Sequence, residues 1–271
     1  MLLVRLPRYV CTMPKPQSPS NATKQRTAAI ARRLKAFNGK PYLHNPASVI
    51  ETLVATILSQ NTSDRNSVRA YQQLRATWHS WDELADAGQA ELAAAIRIGG
   101  LAQQKSRTIL AALQALRQRH GTLDTTTLDS TLDQLATDAI LAELTSIPGV
   151  GLKTASCVLM FALGRDLCAV DTHVHRVVNR LGIVQSSTPD KTFHALRPLL
   201  PRNAAVQFHV DLIRFGRWVC KAQRPHCFHC PLYDLCQWDE REQYAAAGQP
   251  GSAPVSGDIL LSDILRPNSN N

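Results

Sequence analysis

The chain has 271 residues, of which 44% are hydrophobic and 19% charged, a composition that supports a sizeable core and argues against disorder. Its net charge is +9. No apolar run reaches the ~18–20 residues that span a bilayer, so no membrane partner is expected. The charge is unevenly placed: the first 50 residues hold nine Lys and Arg and no acid, and the other 221 hold 21 of each sign. An acid-free basic arm suits a polyanion such as nucleic acid, where each neutralised phosphate releases counterions; composition alone fits a solubilising tail equally well. The opening "MLLVRLPRYV" has its apolar run cut by Arg5, Pro7 and Arg8, so a secretory leader is not expected. The seven cysteines are then read in a reducing compartment, where metal binding outranks disulfides.

Residues 1–23, rich in Pro, Ser and Asn, are expected to form a disordered basic tail. The next stretch, "TKQRTAAIARRLKAF", carries Ile30, Leu34 and Phe37 at helical spacing. In "NPASVIETLVATILSQ", Asn45 reads as a cap and Pro46 as a first-turn residue, with Val49, Ile50, Leu53, Val54, Ile57 and Leu58 as one apolar face. Further helices are predicted at about 63–77, 88–97, 104–119, 138–146, 152–163, 171–181, 190–199 and 203–219. The Thr/Asp/Leu-rich segment 122–138 reads as a loop with a short helical turn, and 241–271 as a mobile tail. Several alternating β-branched runs would be needed for a sheet, and none is found, so the fold class is all-α.

The segment "LTSIPGVGLKTASCV" (144–158) breaks a helix with Pro148, Gly149 and Gly151 and restarts it beside Lys153. The glycines can adopt backbone angles closed to other residues. The restarting helix presents unpaired N–H groups and the positive end of its dipole, a ready phosphate site, and glycines there would let a nucleic-acid backbone approach without side-chain collision. Eighteen residues after Lys153, Asp171 opens the next helical segment. An amine that attacks a sugar carbon must be partly neutral, and a helix N-terminus with partial desolvation disfavours the ammonium form. A nearby carboxylate would stabilise the oxocarbenium-like state through which a glycosidic bond breaks.

A second cluster lies in "CKAQRPHCFHCPLYDLC", where Cys220, Cys227, Cys230 and Cys236 form a C-x6-C-x2-C-x5-C array. Four thiolates in so short a span suit a tetrahedral zinc or an iron–sulfur cubane, and spacing alone leaves both open.

The hairpin "L-x-x-I-P-G-V-G-x-K-T-A", the following "AVDTHVHRVVNRLG" and the cysteine array, in that order, resemble the endonuclease III family of helix-hairpin-helix DNA glycosylases. The resemblance runs from about residue 24 to 240. It implies two helical domains with DNA held between them: a six-helix bundle at 42–165 that contains the hairpin, and a cluster domain of 24–41 plus 166–240. It also implies a [4Fe–4S] cluster on the four cysteines, Lys153 as a Schiff-base nucleophile and Asp171 as its partner. The implied activity is removal of oxidised pyrimidines from damaged double-stranded DNA by a monomer, followed by nicking through β-elimination. Such an enzyme would sit in the cytoplasm on the nucleoid of a bacterium, or in a eukaryotic nucleus or mitochondrion.

By the same resemblance Gly149, Val150, Gly151 and Thr154 of the hairpin, and Lys221 and Arg224 of the cysteine loop, would touch DNA. An enzyme that extrudes a nucleotide must also fill the gap. "IGGLAQQKSRTI" presents Leu101 as an apolar plug, and "ILSQNTSD" supplies Gln60 and Asn61. The family commonly shows Ser-x-Gln-x-x-Asp at the latter position; the sequence here, Ser59-Gln60-Asn61-Thr62-Ser63-Asp64, leaves either amide to face the orphan base.

Overall fold

The computed structural model describes residues 20–39 and 47–247. Among them every regular element is helical: thirteen α-helices and four 3-10 turns, with no strand. The first seven helices are α1 (Asn21–Asn38), α2 (Val49–Ser59), α3 (Asp64–Thr77), α4 (Trp81–Ala85), α5 (Gln89–Ala95), α6 (Ala102–His120) and α7 (Thr125–Asp133). They are followed by α8 (Thr137–Thr145), α9 (Leu152–Phe161), α10 (Thr172–Arg180), α11 (Pro189–Leu196), α12 (Ala205–Trp218) and α13 (Arg241–Ala246). No described helix is long and apolar enough to cross a membrane.

Several boundaries differ from the sequence expectation. The Ser20 side chain accepts a bond from Thr23 N–H, so α1 opens inside the expected tail. Asn45 and Pro46 lie outside the described residues. The cap of α2 is Ser48, which with Glu51 forms a reciprocal capping box. Within 122–138 the expected loop contains α7, nine residues long, capped by Asp124 and burying Leu128 and Leu132 one turn apart. At the far end 241–246 forms α13, whose Tyr244 ring stacks on Trp238 at 5.3 Å; residues 248–271 of the expected mobile tail lie outside the described residues.

The apolar face of α2 is almost fully buried and makes it the axis of one group of helices. It packs against α9, α3, α6 and α7, with α8 on α9, and with α4 and α5 on α6. A second group gathers on α12, which α1 and α10 both contact. Phe37 of α1 meets Phe215 of α12 edge-on at 6.4 Å, and Asn38 Nδ2 donates to Asp211 Oδ1 at 3.0 Å. The Arg26 guanidinium donates to the backbone oxygens of Leu181, Gly182 and Leu235, tying α1 to the end of α10 and to the cysteine loop.

Candidate active site and cysteine cavity

Lys153 is the second residue of α9, half-buried. The helix has no side-chain cap, because Gly151 occupies the capping position. Its first backbone bond is Ala155 N–H to Gly151 O at 3.0 Å, so the N–H groups before it lack a partner within the helix. Asp171 caps α10, its Oδ1 accepting from Val174 N–H at 2.8 Å. This cap fixes the carboxylate at the mouth of α10.

Lys153 and Asp171 both act on two buried groups. The Cys157 thiol is pushed up by burial, then lowered by the Lys153 charge and raised by that of Asp171; Lys153 also hydrogen-bonds it. Burial lowers His209 to about 4, with Asp171 acting to raise it and Lys153 to lower it. Both groups thus sit within the field of both charges. His209 Nδ1–H donates to Ala169 O at 2.8 Å, and Phe161 lies against its ring at 5.9 Å, which seals the floor behind the pair with neutral side chains. Nothing in the sequence singled out His209.

The other hairpin residues divide. At Gly149, φ is +87°, and a Cβ would lie 2.3 Å from Thr108 Oγ1; the turn and the close approach of α6 both require a glycine here. Gly151 faces open space, where a Cβ would meet nothing within 4 Å. Val150 is buried at 4% exposure, and Thr154 is buried with its Oγ1 accepting from Gln60 Nε2 at 3.1 Å. Both side chains point into the core, which leaves the backbone of these two residues to meet a phosphate.

That bond turns Gln60 inward to Thr154, while Asn61 is exposed at φ +50°. Leu101 is 51% exposed, at φ +48°. Left-handed backbone is costly for residues with a side chain, and non-glycine residues adopt it at four described positions: Asn61, Leu101, Asn203 and Arg224. Three of the four are sequence-predicted DNA contacts. Beside Asn61, Asp64 joins Arg217 of α12 at 3.0 Å, bridging the two helix groups.

Cys220, Cys227, Cys230 and Cys236 line one cavity, walled by Phe215, Val219, Pro225, Tyr233 and Trp238. Among the described residues, no group of three or more His, Cys, Asp or Glu is placed to hold a single metal ion. Burial, with neighbouring thiolates, pushes Cys227 up to about 11 and Cys230 to about 12. Arg180 Nη1 approaches Cys220 Sγ at 3.6 Å and donates to Lys221 O at 2.7 Å, while its guanidinium lies 3.8 Å from the Trp238 ring. Arg176 donates to Gly216 O and Cys220 O. Both arginines hold the start of the cysteine loop. Lys221 is half-buried there and Arg224 exposed.

The fold and these sites define a helical, hairpin-bearing DNA repair protein: the HhH-GPD superfamily of base excision DNA repair proteins matches residues 54–202. Endonuclease III of Thermotoga maritima is 34% identical over 201 residues, 74% of this chain and 88% of that protein. Two solved structures, a non-covalent endonuclease III–DNA complex and a trapped covalent endonuclease III–DNA intermediate with an estranged adenine, each superpose with a TM-score of 0.68 at 28% identity. Each alignment covers 81% of this chain and 97% of the other. The chain belongs to the endonuclease III family within that superfamily.

Proposed function

We propose that this chain is a bifunctional DNA glycosylase and AP lyase of base excision repair that removes oxidised pyrimidines from duplex DNA. The observation that carries the assignment is the placing of Lys153 and Asp171 around the same two buried groups, Cys157 and His209. The neutral Lys153 amine attacks C1′ of the extruded nucleotide; the C1′–N bond breaks and the base departs with a proton. Ring opening gives an iminium between Lys153 Nζ and C1′. Loss of a C2′ proton then expels the 3′ phosphate by β-elimination, and water releases the lysine. Asp171 stabilises the positive charge at C1′ and accepts the proton lost by the attacking amine. The unpaired N–H groups at Gly151–Lys153 bind a flanking phosphate. Asn61 faces the orphan base, Leu101 fills the vacated stack, and Arg224 with Lys221 meets the backbone from the cysteine loop.

The four cysteines fit a [4Fe–4S] cluster. Their shared cavity and the resemblance of their spacing to the family's cluster loop support a multi-iron centre over a lone zinc. Buried, mutually repelling thiolates need a cationic centre to neutralise them. Cys220, Cys227, Cys230 and Cys236 would hold the cluster, which would cross-link the loop and supply no chemistry to bond breaking. Iron analysis should return about four irons per chain with sulfide; zinc alone would refute this assignment.

Borohydride trapping on a duplex with one abasic site tests the lyase. Wild type should form a covalent adduct and Lys153→Ala none. Binding without an adduct in wild type would remove the nucleophile and leave a monofunctional glycosylase.

A further inference from the structure

Lys105 lies in α6 at 2% exposure, the largest of the fully buried side chains. Its Nζ donates to Leu58 O at 2.7 Å and to Gly99 O at 2.8 Å. Leu58 is in the last turn of α2, and three residues on stands Asn61; Gly99 ends a 3-10 turn, and two residues on stands Leu101. These carbonyls belong to helix ends that have run out of intrahelical donors, where the dipoles favour a cation. Burial lowers the amine to about 8, which leaves the ammonium form dominant at neutral pH. The backbone N–H of Lys105 also donates to Leu101 O at 2.9 Å, and Gly99 packs against Ala70 of α3, which closes the joint from the other side.

A buried cation is expensive to maintain, and a methionine or leucine would fill the same volume in a helix core without that cost. What the ammonium adds is a bond to each of two chain segments 47 and 6 residues away. Each segment ends in an exposed residue held at positive φ. Strained backbone persists where the surroundings over-determine it, and Lys105 is the shared support.

We propose that Lys105 is a positioning residue for base extrusion, bolting the Gln60–Asn61 turn to the Gly99–Leu101 loop so that both enter the duplex as one rigid unit. This rests on the assignment of Asn61 and Leu101 as the gap-filling residues. Loop displacement of an ångström is enough to slow a positioned reaction about a hundredfold.

The test compares wild type, Lys105→Met, Leu101→Ala and the double variant on a lesion duplex carrying 2-aminopurine beside the damaged base. Opening of the stack is read by fluorescence and base release by single-turnover kinetics. Far-UV helicity and affinity for undamaged duplex serve as controls for the fold. Lys105→Met should lose the opening signal and slow base release by about tenfold to a hundredfold, with helicity and undamaged-duplex affinity unchanged. Because both residues act through one unit, the double variant should be no slower than the slower single variant. If Lys105→Met does not fold, Lys105→Gln, whose amide serves one carbonyl at a time, carries the same comparison with a smaller loss. Wild-type extrusion by the Lys105 variants beside an impaired Leu101→Ala would overturn the role of Lys105 and leave the gap-filling assignment standing. Wild-type behaviour of Leu101→Ala would sink that assignment itself. Parallel loss of helicity, undamaged-duplex affinity and base release, or additive effects in the double variant, would reduce Lys105 to a general structural residue.

Discussion

Around Lys153 the chain is held by packed helices; around the four cysteines it is held by arginines. The hairpin wall rests on α2, α6 and α9, whose facing side chains are apolar and buried, and its turn is set by Gly149 pressed on Thr108. The cysteine region has 3-10 turns of three residues and a short final helix. Its carbonyls are gathered by Arg26, Arg176 and Arg180 from α1 and α10. The first region can keep its shape from burial alone, whereas the second rests on short turns and side-chain hydrogen bonds that the proposed cluster would complete. Stability and dependence on a cofactor would thus be divided between the two halves of the functional surface.

The largest expected effect follows from that division. Cys227→Ser, or iron removal, should abolish hydrogen-exchange protection across 219–246 while α2 and α9 stay protected. Simultaneous loss in both regions would show that the bundle depends on the cluster as well.

Next come the two glycines of one turn. Gly149→Ala should cost about 2–4 kcal/mol, from an overpacked contact and a positive φ, and Thr108→Ala should recover most of the packing part. Gly151→Ala should alter stability by no more than about 1 kcal/mol and instead weaken DNA binding. Equal melting losses for the two variants would break the distinction between a packing glycine and an approach glycine.

The smallest effect concerns Asp129 of α7, whose Oδ1 accepts from Val49 N–H at 3.0 Å. Burial, helped by Glu51 and Asp124, pushes its carboxyl up to about 6. The folded chain therefore holds a proton between pH 4 and 6 that the unfolded chain releases, so this group destabilises the fold as pH rises through 6. Asp129→Asn should stabilise by about 1–2 kcal/mol at pH 7.5, and the gain should vanish near pH 3.5. A pH-independent gain in melting temperature would assign it to something other than the carboxylate.

The helices with long apolar stripes were legible in the sequence, because burial of α2 and α9 is written into residue spacing. Their exact starts were less so: the cap of α2 is Ser48, whose box is completed by Glu51 three residues on. Helix α7 was hidden by a Thr/Asp-rich composition of poor helix propensity, although Leu128 and Leu132 one turn apart were the clue. Helix α13 depends on a ring stack with Trp238 that no local pattern announces. In the site, turn signals marked the restart of the helix at Lys153, while the roles given to Lys153 and Asp171 came from the family resemblance. Val150 and Thr154 could not be separated from their neighbours, since inward and outward positions alternate within a single turn. Lys105 was in plain view: a lysine in register with Ile109, Ala112 and Leu116 on the buried stripe of α6 is not a solvated residue.

The Arg26 anchor also sets an order of events on the ribosome. Its acceptors at Leu181, Gly182 and Leu235 lie 155, 156 and 209 residues downstream, so α1, made well before them, is among the last of the described helices to dock. Until the cysteine loop has emerged, α1 must wait with Ile30 and Leu34 uncovered, an interval in which a nascent chain is open to aggregation or chaperone capture. Nascent chains stalled before residue 219 should accordingly show protease-resistant α2–α9 and a cleavable α1, and release of the full chain should protect both.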